Sequence, residues 1–162
     1  RGATAFDQPL SFDTSIVTDM RGMFQDAIAF NQLLSVLASA RRVLLSAAPF
    51  DTSNVNNMAD MFNGAAAFDQ PLSFNTSNVN TMSGMFRDAT AFDQPLDFET
   101  SSVTDMANMF NGASTFNQLL TFDRSNVMNF ADIFKGATAL NHTLSFPPQL
   151  PPPPASPPLE RA

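Results

Sequence analysis

The feature that most confines this chain is that it repeats. FDQPLSFDTS at 6–15 returns as FDQPLSFNTS at 68–77, FDQPLDFETS at 92–101 and FNQLLTFDRS at 116–125. Units open at Phe6, Phe30, Phe68, Phe92 and Phe116, and a last partial one at Leu140. The step is 24 residues except between Phe30 and Phe68, where it is 38. The surplus is the segment 36–49, VLASARRVLLSAAP, after which the pattern resumes in phase at Phe50. With the opening Phe as position 1, Phe fills positions 1, 7 and 19 nearly throughout. Eight of the nine Met lie at positions 15 and 18, and all six Gly at 17 or 21. One such unit cannot fold alone. Its large apolar side chains contribute on the order of 10–20 kcal/mol gross, against roughly 35 kcal/mol for ordering the unit. Units that share faces escape this, so residues 1–146 are expected to stack as one repeat domain.

Inside a unit the pattern changes period. Val79, Met82, Met85, Phe86 and Ala89 form a stripe at i, i+3, i+6, i+7 and i+10, which predicts a helix of ten to twelve residues. The same stripe runs through Val17–Ala27 and Val103–Ala113. Thr14, Thr52, Thr76 and Thr100, each followed by Ser, stand where N-caps belong. Gly64, Gly112 and Gly136 stand where a C-cap belongs, with Asp26 and Asp88 there in other units. Upstream, Pro9, Pro71 and Pro95 exclude helix, and Leu72–Phe74 alternates with period two, which predicts a short strand. The expected fold is therefore an α/β repeat solenoid, a leucine-rich-repeat-like horseshoe of 24-residue strand–turn–helix units. A parallel sheet would line one face and short helices the other, with equivalent Phe in files about 5 Å apart. A β-solenoid with the Val–Met–Met–Phe segment extended is the alternative.

Two segments depart from the repeat. Residues 36–49 read either as a binding loop bulging from one turn or as 42 in-frame nucleotides of unspliced sequence. Residues 147–162 are Pro-rich and read as a polyproline or disordered tail, a spacer before a ligand for an SH3-like groove. At the other end, Arg1–Phe6 matches Arg87–Phe92, so the chain is expected to be a fragment of a longer array. Uncapped ends would then invite self-association.

The string DTSNVNNMADMFNGAAAFDQPLSF (51–74), with its successor at 75–98, resembles the tandem repeat of BspA-like leucine-rich-repeat surface proteins. The resemblance covers residues 1–35 and 50–146. It implies a leucine-rich-repeat-like array exposed on a cell surface or outside the cell, engaged in adhesion or protein binding. Phe12, Phe74 and Phe98 stand where that family usually carries Trp.

Composition removes other functions. Without Cys there is no thiol nucleophile, zinc knuckle or disulfide scaffold. A formal charge of −7 opposes nucleic-acid binding, and no apolar run is long enough to span a membrane. His142 is the only His, and it occupies a column otherwise filled by Gln8, Gln32, Gln70, Gln94 and Gln118; it reads as a surface substitution rather than a general base. Three columns are rich in carboxylates, headed by Asp7, Asp13 and Asp19. Asp and Asn exchange freely in them, which points to turn chemistry before calcium. No catalytic, cofactor or metal residue is assigned. The expectation is a non-enzymatic surface scaffold that binds a protein or glycan, or a wall-associated spacer without a specific ligand.

Overall fold

The computed structural model describes residues 2–10, 13–34 and 50–142; the segment 36–49 and the tail 147–162 lie outside them. Each unit forms one layer, and five layers stack in sequence order. Layer 1 is 6–29, layer 2 is 30–34 with 50–67, layer 3 is 68–91, layer 4 is 92–115 and layer 5 is 116–139. Register holds across the 14-residue surplus. Parallel bridges join Asp19 to Asn57, Asn57 to Thr81, Thr81 to Asp105 and Asp105 to Asn129, all at position 14.

The helix-and-sheet architecture is corrected here. Among the described residues there is no helix, and the only pairing of strand type is those four isolated bridges. The α/β solenoid with a parallel sheet on one face and helices on the other is not what this sequence forms, and leucine-rich-repeat geometry goes with it. The Val–Met–Met–Phe stripe winds instead through successive tight turns, so it is not the extended strand of the alternative reading either. In layer 3, Met85 N–H donates to Met82 C=O at 3.1 Å, Arg87 N–H to Gly84 C=O at 3.0 Å and Ala89 N–H to Phe86 C=O at 3.2 Å. The intervening N–H groups point along the stack. Met82, Gly84, Phe86 and Asp88 donate to the carbonyls of Asp105, Ala107, Met109 and Asn111 in layer 4, at 2.7–2.9 Å. Every adjacent pair of layers repeats this four-bond ladder.

Backbone handedness explains the failure of the helix. Positions 17 and 21 have φ between 54° and 77° in every layer, and only Gly, Asp and Asn occupy them: Gly22 and Asp26, Asp60 and Gly64, Gly84 and Asp88, Asn108 and Gly112, Asp132 and Gly136. Left-handed residues four apart interrupt a right-handed helix inside its second turn, and these residue types tolerate that conformation best. Gly64 and Gly112 are therefore not C-caps. Each layer holds one Gly and one Asx, and in layers 1–4 the order alternates. The Asx carboxylate leans over the Gly of the next layer: a Cβ on Gly64 would lie 2.7 Å from Asp26 Oδ1, and one on Gly84 would press on Asp60 Oδ1.

The apolar columns fill the interior. Phe30, Phe68, Phe92 and Phe116 are fully buried and stack with centroids 5.9–6.0 Å apart. A second file, Phe24–Phe62–Phe86–Phe110–Phe134, stacks at 5.3–5.6 Å. The two files touch where one layer leads into the next, as Phe86 of layer 3 and Phe92 of layer 4 do at 4.2 Å. Met58, Met61, Met82, Met85 and Met106 complete the core at 0% exposure. Stacked rings and close-packed thioether chains make each layer the wall of the next.

Candidate functional site

The segment expected to be a strand is extended but unladdered. Along 71–77, Leu72, Phe74 and Thr76 are buried while Pro71, Ser73, Asn75 and Ser77 are exposed, and 95–99 repeats the alternation. Among the described residues no backbone–backbone hydrogen bond involves residues 70–75 or 94–99. Pro at position 4 removes a donor, and the layers stand wider here: Phe74 and Phe98 are 6.4 Å apart, Phe98 and Phe122 6.3 Å. Strands in a ladder lie about 4.8 Å apart. This face therefore presents side chains and main-chain groups together.

Side chains tie the layers on this side. The Thr column is buried, and each hydroxyl donates to the position-8 carbonyl of the following layer: Thr14 to Asp51, Thr52 to Asn75, Thr76 to Glu99 and Thr100 to Asp123, at 2.8–3.0 Å. These are straps between layers, not the helix N-caps expected from sequence. Asn54, Asn78 and Asn126 reach back from position 11 to a carbonyl of the layer before, at 2.7–2.8 Å.

The carboxylate columns resolve in the same way. Asp7 Oδ1 accepts from Asn31 N–H and from the Gln32 amide at 2.9 and 2.8 Å. Asn31, Asp69 and Asp93 receive the same pair of donors from the next layer. Position 8 accepts the N–H two residues ahead in all five layers, from Asp13–Ser15 to Asp123–Ser125. Position 14 does likewise, as Asp19 with Arg21 and Asp105 with Ala107. One acceptor oxygen suffices in each place, which is why Asp and Asn interchange. The N–H donors hold the carboxyls of Asp7, Asp13 and Asp123 below their ordinary range: Asn31 N–H first for Asp7, Ser15 N–H for Asp13 and Ser125 N–H for Asp123. Among the described residues no three His, Asp or Glu side chains converge on one point. His142 Nε2 lies 3.0 Å from the Asn117 carbonyl, a place matching that of the Gln118 amide against Asp93 C=O.

The exposed face changes along the stack. Layer 3 shows Pro71, Ser73 and Asn75. Layer 4 shows Pro95, Asp97 and Glu99, and layer 5 shows Leu119, Thr121 and Asp123. Leu119 is 62% exposed. Layer 5 also replaces the Thr strap with Arg124, whose guanidinium lies 5.8 Å over the Phe130 ring.

Comparison with known families follows from this repeat. The family described as Mycoplasma protein of unknown function, DUF285, matches residues 1–72 and again residues 33–146. The chain belongs to that family. The two overlapping matches cover the five layers as well as the segment 36–49. No curated protein and no solved structure matches the chain. Among the described residues no helix is long and apolar enough to cross a membrane.

Proposed function

We propose that this DUF285 repeat protein is a non-enzymatic scaffold, displayed on a cell surface or outside the cell, that binds a protein or glycan through the extended-segment face of its layers. The observation that carries the reading is the unladdered face itself. Its outward residues turn from small and polar in layer 3 to acidic in layers 4 and 5, where Asp97, Glu99 and Asp123 adjoin Pro95 and Leu119. A charged strip with an apolar edge across successive layers suits multi-point contact. The similarity to BspA-like surface repeats supports the compartment, and the recurrence of every polar column in every layer favours extended contact over chemistry at one spot.

A second reading has its own support. Ser73, Thr121 and Asn75 are interchangeable small polar residues, as a spacer without a specific ligand would carry. Binding of the full chain to an array of polysaccharides and cell-surface proteins separates the two. The scaffold reading expects binding that Asp97→Arg with Glu99→Arg abolishes and Asn80→Arg, off this face, leaves intact. A folded chain that binds nothing, or binds equally well after both changes, sinks it and favours the spacer.

A further inference from the structure

We propose that Asn75 is an acceptor for an N-linked glycan. The repeat supplies Ser two residues after position 8 in every layer, as Ser15, Ser53, Ser77, Ser101 and Ser125. Position 8 itself is Asp13, Asp51, Glu99 or Asp123 in four layers and an amide in layer 3 alone. Asn75-Thr76-Ser77 thus completes an Asn-x-Ser acceptor sequence in the middle of the stack, on its exposed face.

The geometry fits the modification. Asn75 Oδ1 accepts from Ser77 N–H at 3.2 Å and from the Ser77 hydroxyl at 2.7 Å. Its Nδ2 has no partner among the described residues, and the side chain is exposed. Five other asparagines differ on this point, since Asn54, Asn78 and Asn126 commit Nδ2 to the layer before and Asn63 and Asn111 commit it to Asp60 and Asn108. Those that, like Asn75, use only Oδ1, such as Asn31 and Asn117, lack the Ser or Thr two residues on. A glycan on Asn75 therefore takes the one atom of the carboxamide that the fold does not use. In the transfer, Nδ2 attacks the anomeric carbon of a sugar carried on a diphosphate leaving group. The N–C bond forms, the C–O bond to the diphosphate breaks, the diphosphate departs as an anion, and Nδ2 gives one proton to a base of the transferase.

The proposal rests on the extracellular reading, because such donors meet a chain on export. Its test is the full chain secreted behind a cleavable signal from a eukaryotic cell that builds N-glycans, with peptide-N-glycosidase release in heavy-oxygen water and mass spectrometry of the peptide spanning residue 75. The expected result is occupancy at Asn75, lost in Asn75→Gln and in Ser77→Ala. Melting should be the same before and after release, since release leaves an aspartate, the residue of layers 1, 2 and 5. The sequence Asn141-His142-Thr143 is a second acceptor string, read separately from residue 75. Secreted, folded chain with residue 75 bare overturns the proposal, whether or not Asn141 is occupied, and leaves the binding-scaffold reading standing.

Discussion

The two sides of each layer are held by different means. On the turn side, the N–H groups of positions 15, 17, 19 and 21 make four main-chain bonds along the stack at every interface, and the aromatic file closes to 5.3–5.6 Å. On the extended side the described residues form no main-chain ladder, the file opens to 6.3–6.4 Å between layers 3, 4 and 5, and Thr hydroxyls make the connection. The contrast teaches that main-chain order resides at positions 15–21, and that on the other side the buried positions hold their identity while the outward ones are free to vary. Asp97 and Glu99 replace Ser73 and Asn75 without disturbing Leu96, Phe98 or Thr100 beneath them.

This contrast can be broken most severely from the turn side. Phe92→Ala removes a fully buried ring that stacks on Phe68, Phe86 and Phe116, and should cost about 3–5 kcal/mol in urea unfolding. Gly84→Ala should cost about 2–3 kcal/mol, because a side chain is placed at φ +63° and presses on Asp60 Oδ1. Asp60→Gly in the same chain should recover part of that loss, giving a coupling of about 1 kcal/mol, and strict additivity would show that the carboxylate and the glycine do not interlock. On the extended side, Thr76→Val keeps the buried shape, leaves Glu99 C=O without its donor, and should cost about 1–2 kcal/mol. Asp97→Ser, fully on the outward face, should stay within about 0.5 kcal/mol. Amide hydrogen exchange sharpens the same comparison: Met82, Gly84, Phe86 and Asp88 should exchange slowly, and Ser73 and Phe74 faster.

Acid probes the polar columns. The carboxyls of Asp7, Asp13 and Asp123 are depressed in the folded chain by the N–H groups they cap. Their contribution is thus fully present above the ordinary carboxylate value of about 4 and is lost as pH falls through the lower folded values. Thermal melting should be flat from about pH 7 to pH 5 and decline below about pH 4, and a chain with Asn at positions 7, 13 and 123 should decline less.

How far the sequence led depends on which residues are followed. Phe6, Phe30, Phe68, Phe92 and Phe116 announce stacked layers and their register, because equivalent rings must meet if a 24-residue unit is to bury them. Local conformation was misread at the Val–Met–Met–Phe stripe. Spacings of three and four residues serve a helix and a run of tight turns equally well, and what separates them lies in the polar residues between. Gly84, inside the expected helix and four residues before Asp88 at its end, carried that signal. A Gly there costs about 1 kcal/mol relative to Ala, and the recurrence of Gly, Asp or Asn at that position demands a reason. The candidate face was legible as period-two alternation at Pro71–Ser77. That its backbone would stay unpaired was not, because pairing depends on layer spacing, which is set on the opposite side.

The alternation of Gly and Asx has a consequence for how such arrays lengthen. A single duplicated layer would set carboxylate over carboxylate in one file, whereas a duplicated pair keeps the small residue under the large one. At the one step where like follows like, from layer 4 to layer 5, the amide of Asn108 stands in the file above Asp132, and Gly136 follows Gly112 in the other. By this packing a stack of such layers is expected to lengthen in steps of 48 residues, with a neutral asparagine where a single layer is added, as Asn108 stands here.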